Sequence, residues 1–80
     1  MMSILQTYVL LYVDAENKPR FLQGSIATIN AELQKQWLNG EIDRDEWDFS
    51  NPWELLGIED GRLTPVERVE CTSIPQFEVH

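Results

Sequence analysis

From Ile4 to Val13 the chain runs through Leu, Tyr and Val residues with neither glycine nor proline, and that composition predicts a β-strand. Alternation puts Leu5, Thr7, Val9, Leu11 and Val13 on one face and Ile4, Gln6, Tyr8, Leu10 and Tyr12 on the other. Both sets are largely apolar, so the strand is expected to be central and covered at least partly on both sides. Asp14 to Pro19 is rich in turn residues, and Arg20 to Gln23 is expected to fold back as the second arm of a hairpin.

The period then changes. Ser25 is a candidate N-cap just after Gly24, and Ile26, Ile29, Leu33 and Trp37 recur at spacings of three and four, one apolar stripe of a helix. Leu38 widens the stripe. Asn30, Glu32, Gln34 and Gln36 are assigned to the wet side, and Asn39-Gly40 form a left-handed C-terminal stop.

Between Glu41 and Phe49 the apolar residues Ile42, Trp47 and Phe49 follow neither period, which predicts an acidic connection. Asn51-Pro52 with Glu54 has the form of a capping box with proline at the first helical position, and Gly57 closes it, so a helix of one or two turns presenting Trp53 and Leu56 inward is expected. Asp60-Gly61 is a tight-turn signal between Ile58 and Arg62-Leu63. Thr64-Pro65-Val66-Glu67 reads either as a helix start or as the lead into a strand from Val66 to Ile74. The strand is preferred, because nine residues between two prolines make a short helix and an ordinary strand. Gln76 to His80 is a candidate terminal strand. The chain from 1 to 80 is therefore expected to be one α+β domain: a small, mainly antiparallel sheet of about three to four strands, one amphipathic helix packed on it, and a short second helix.

Composition narrows the class. The only cysteine, Cys71, has no disulfide partner within the chain, so the fold is expected to rest on packing in a reducing, cytoplasmic setting. The start Met-Met-Ser-Ile-Leu lacks a basic stretch of the kind that opens a signal peptide, and no apolar run approaches the roughly 20 residues of a membrane span. A soluble protein is expected.

Charge changes the picture most. The net charge is −8. Residues 1 to 40 balance to zero and residues 61 to 80 to −1, whereas 41 to 60 carry −7. Such a surface repels nucleic acid and anionic membrane, and attracts basic protein surfaces or cations.

Catalytic patterns are missing from the sequence. His80 is the one histidine and the last residue, so neither a Ser-His-Asp nor a Cys-His arrangement can be assembled. One cysteine and one histidine do not make a structural zinc site. Asp43, Asp45 and Asp48 invite a calcium reading, but Trp47 and Asp48 stand where an EF-hand loop needs an oxygen ligand and then glycine. The four glycines are too scattered for a phosphate cradle. No cofactor is called for, and the protein is expected not to be an enzyme.

What remains is the run from Glu41 to Trp53, where five carboxylates interleave with Trp47, Phe49 and Trp53. Aromatic anchors ringed by polar steering groups are the composition of an interface hot spot. Against this stands the plain alternative of a solvated acidic rim with the tryptophans in the core. The expected function is a non-catalytic protein-binding module, with Asp43, Asp45, Glu46 and Asp48 steering and Trp47 and Phe49 anchoring. Its most specific form is a small acidic inhibitor or adaptor that imitates the phosphate backbone, of anti-restriction or anti-CRISPR type. It would meet a basic surface of a DNA- or RNA-handling protein without binding nucleic acid or membrane itself. The alternative is an assembly protein that self-associates by strand pairing.

Overall fold

The computed structural model describes residues 6–42, 53–66, 69–71 and 76–79. A four-stranded antiparallel sheet is built from β1 (Thr7–Val13), β2 (Pro19–Gly24), β3 (Trp53–Glu59) and β4 (Arg62–Pro65) in the order β2-β1-β3-β4. One helix, α1 (Ile26–Leu38), packs on one face. A second antiparallel pair joins β5 (Val69–Cys71) to β6 (Phe77–Val79). The α+β class with an antiparallel sheet and one amphipathic helix is thus the observed one.

β1 is central, as its two apolar faces require. It pairs with β2 from Tyr8↔Gly24 to Val13↔Pro19 and with β3 from Thr7↔Ile58 to Tyr12↔Trp53. The β1–β2 turn is organised by Asp14, whose carboxylate accepts the backbone N–H of Glu16 and of Lys18, both at 2.9 Å. This is the local side-chain closure that makes aspartate a turn former. The β3–β4 turn is Asp60-Gly61, with φ of 52° and 75°. Two positive values in succession are the condition for the two-residue turn that matches strand twist.

α1 begins where expected: the Ser25 hydroxyl accepts the Thr28 N–H at 3.1 Å. It ends in a Schellman arrangement. Glu41 N donates to Gln36 O at 2.8 Å and Gly40 N to Trp37 O at 3.1 Å, with Gly40 left-handed at φ 76°. Its inward face is turned from the expected one. Ile29, Leu33 and Gln36 are buried, whereas Leu38 is 71% exposed. Gln36, expected on the wet side, goes inward because the Tyr12 hydroxyl meets its Oε1 at 2.6 Å, which satisfies the amide oxygen in the interior.

The core gathers Leu10, Tyr12, Ile29, Leu33, Ile42, Leu55 and Phe77 between sheet, helix and β6. Leu10, Ile29 and Leu33 are fully enclosed. Each contributes roughly 1.5–3 kcal/mol from transfer out of water.

One expected element is corrected. Trp53 to Glu59, which include most of the expected short second helix, form β3. The capping pattern lost because β1 presents a second edge that must be paired, and alternation along 53–59 puts Trp53 and Leu55 into the core side of that pairing. The strand reading of the tail holds at Val69–Cys71, and the terminal strand holds at Phe77–Val79.

Candidate binding surface

The six residues singled out as a binding segment, Asp43, Asp45, Glu46, Trp47, Asp48 and Phe49, lie outside the described residues. Their flanks are within them. On the N-terminal side Ile42 is buried in the core. Glu41 before it is held by Arg20, whose guanidinium Nη1 lies 3.2 Å from Oε1. The Glu41 carbonyl also accepts the Ala15 N–H at 2.9 Å. On the C-terminal side Trp53 stands opposite Tyr12 in the sheet and meets the Phe77 ring edge-on, with centroids 4.8 Å apart. Trp53 and Trp37 are both half-buried.

Arg20 is the electrostatic hub of this end of the sheet. Its Nε lies 2.9 Å from Asp14 Oδ2, and Nη1 reaches Glu41. The hydrogen bond to Glu41 comes first among the causes that raise its pKa, with Tyr12 and Asp14 adding to it. Asp14 is depressed below the usual carboxylate range, chiefly by the Lys18 N–H, then by the Glu16 N–H and Arg20, against the opposing effect of burial. Lys18 pairs with Glu16 at 3.3 Å across an exposed turn. Glu54, next after Trp53, is exposed.

The other feature at this end was not foreseen. Register assigns Leu11, Val13, Phe21, Glu54, Ile58 and Leu63 to the sheet face away from α1. On that face Leu11 is 42%, Leu63 56% and Phe21 65% exposed, although Leu56 at its centre is buried. A shallow concavity of about 460 Å³ opens there, lined by Leu11, Val13, Pro19 and Glu54 together with Tyr12, Arg20 and Trp53. The expectation of partial cover on both sides of β1 therefore holds at Val9 and Val13, which are half-buried, and gives way at Leu11. The signal was in the sequence as two apolar alternations on β1, but one helix of 13 residues covers one face of a sheet.

Among the described residues no group of three histidine, cysteine, aspartate or glutamate side chains is arranged to hold a metal ion. No helix among them is long and apolar enough to cross a membrane. No protein-family model matches this chain, and no curated protein and no solved structure matches it either.

Proposed function

We propose that this protein is a non-catalytic protein-binding module, a small acidic inhibitor or adaptor that docks on a basic surface of a DNA- or RNA-handling protein and occupies it as a phosphate backbone would. The observation that carries the reading is the concentration of −7 in residues 41 to 60. The sequence neighbours of the segment 43–52 are anchored: Ile42 is buried in the core and Trp53 packs against it. Two of the few cations are already engaged: Lys18 by Glu16, and Arg20 by Asp14 and Glu41. They do little to offset the negative field that steers a basic partner.

The test is a tagged pull-down from lysate of the native host, comparing the protein with a folded variant carrying Asp43→Asn, Asp45→Asn, Glu46→Gln and Asp48→Asn. Capture of a basic, nucleic-acid-handling protein by the first and not the second is the expected result. Equal capture by both removes the steering role from the four acids. The alternative, self-association through strand pairing, draws on the edge strand β4, all four of whose residues are exposed. Pro65 on that strand lacks an N–H for such a ladder. A mass that grows with concentration distinguishes self-association from the inhibitor reading.

A further inference from the structure

We infer that the sheet face opposite α1 is a docking surface for a basic amphipathic helix of the partner protein. This rests on the reading of the molecule as a module for a basic partner. It assigns part of the contact to residues other than Asp43, Asp45, Glu46, Trp47, Asp48 and Phe49.

Three observations converge on that occupant. The first is apolar exposure: Leu11, Phe21 and Leu63 share one face and are each more than two-fifths exposed. An apolar patch on a sheet face of a charged protein marks an interaction site. The second is charge. Glu54 stands beside Leu11 in register and is exposed, and no lysine or arginine is assigned to that face among the described residues. An occupant with a basic flank satisfies Glu54 and is favoured by the net charge of −8, which opposes a second copy. The third is dimension. Phe21 aligns with Leu11 and Leu63 with Ile58 and Thr7, so the two exposed corners are three strands and four residues apart, about 20 Å on the diagonal. A helix of about 13 residues has that length. It would lie on this face as α1, also 13 residues, lies on the other. The concavity, lined by Arg20 as well as by Leu11, Val13, Pro19 and Glu54, then takes an aliphatic side chain; the Arg20 guanidinium is already held by Asp14 and Glu41, which leaves Glu54 for a lysine or arginine of the occupant.

The probe is a fluorescein-labelled 14-residue peptide of leucine and lysine in amphipathic helical order, with a scrambled peptide of the same composition as control. Binding is read by fluorescence anisotropy. The ordered peptide is expected to bind at least tenfold more tightly than the scrambled one. A double variant Phe21→Ser, Leu63→Ser abolishes that difference, and Glu54→Lys, which leaves the apolar face intact, weakens the ordered peptide severalfold. Circular dichroism establishes that each variant is folded. Neutralising Asp43, Asp45, Glu46 and Asp48 weakens both peptides alike. Equal binding of the two peptides, or a preference that survives Phe21→Ser, Leu63→Ser, overturns the inference while leaving the basic-partner reading standing. Failure of both peptides to bind sinks the two together. A dimer in solution that Phe21→Ser, Leu63→Ser dissociates gives the face to a second copy and overturns the inference as well.

Discussion

The side-chain amide of Asn30 pairs with the backbone of Phe77 as a neighbouring strand would: Phe77 N donates to Oδ1 at 2.8 Å, and Nδ2 donates to Phe77 O at 3.0 Å. Forty-seven residues separate the two. The pair fastens β6 to α1 and sets the Phe77 ring, 2% exposed, against Trp53. Asn30→Ala removes both partners from a part-buried backbone and is expected to cost about 2 kcal/mol. Urea denaturation followed by tryptophan fluorescence reads the change. An unaltered midpoint would mean that β6 is held without help from the Asn30 amide, by its pairing with β5 and its apolar contacts among others.

A second polar link crosses the core from sheet to helix. The Tyr12 hydroxyl donates to Gln36 Oε1, and Gln36 Nε2 lies 3.4 Å from Glu32 Oε1. Tyr12→Phe leaves the amide oxygen of a buried side chain without this donor, at a cost of about 1–2 kcal/mol. Tyr12→Phe combined with Gln36→Leu is expected to cost less than the sum of the single changes, because both members of the pair become apolar. Burial raises the Tyr12 pKa, against lowering contributions from Gln36 and Arg20. The folded state therefore holds the phenolic proton more tightly than the unfolded state does. The resulting stability is present below about pH 10 and is lost as pH rises through the folded value. In Tyr12→Phe the alkaline decline flattens.

Asp14 governs the opposite limb. Its carboxyl is held below the usual range, first by the Lys18 N–H and then by the Glu16 N–H and Arg20. A depressed folded-state pKa means that the unfolded chain binds the proton more readily. Stability from this group is complete above about pH 4 and is lost as pH falls toward the folded value. Asp14→Asn is expected to lower stability at neutral pH and to flatten the acid limb. Melting temperatures recorded from pH 7 to pH 3 on both proteins provide the comparison.

These links also explain what the sequence made legible. The β1–β2 hairpin, the Ser25 cap, the Gly40 stop and the Asp60-Gly61 turn are local chemistry, and each could be read from a few adjacent residues. β3 could not. Asn51, Pro52, Glu54 and Gly57 spell a short helix as long as the second edge of β1 is left out of consideration, and that edge is a non-local fact. Gln36 escaped for a related reason: its hydrogen bond to Tyr12 joins residues 24 apart. The composition of the segment from Asp43 to Phe49 was plain in the sequence, whereas the open face carrying Leu11, Phe21 and Leu63 was hidden. An alternation that is apolar on both sides does not say which side a single helix will cover.

The turn between β3 and β4 gives a test of backbone conformation with little else involved. Gly61 sits at φ 75° with nothing within 4 Å of the place a Cβ would take, so Gly61→Ala changes only the conformational preference of one residue. Forcing an L-residue into the left-handed region costs about 1 kcal/mol. Asp60, at φ 52°, already occupies that region as a residue type that tolerates it, and Asp60→Asn is expected to be neutral. Gly24 is the contrasting position. There φ is 149°, and an added Cβ would meet Thr28 Cγ2 at 3.1 Å. Since Thr28 N is also the group capped by Ser25, Gly24→Ala strains the start of α1 as well as its own backbone. Denaturation midpoints should therefore fall in the order Asp60→Asn, Gly61→Ala, Gly24→Ala. A Gly61→Ala midpoint equal to that of the unaltered protein would show that the turn relaxes without disturbing the pairing of Glu59 with Arg62.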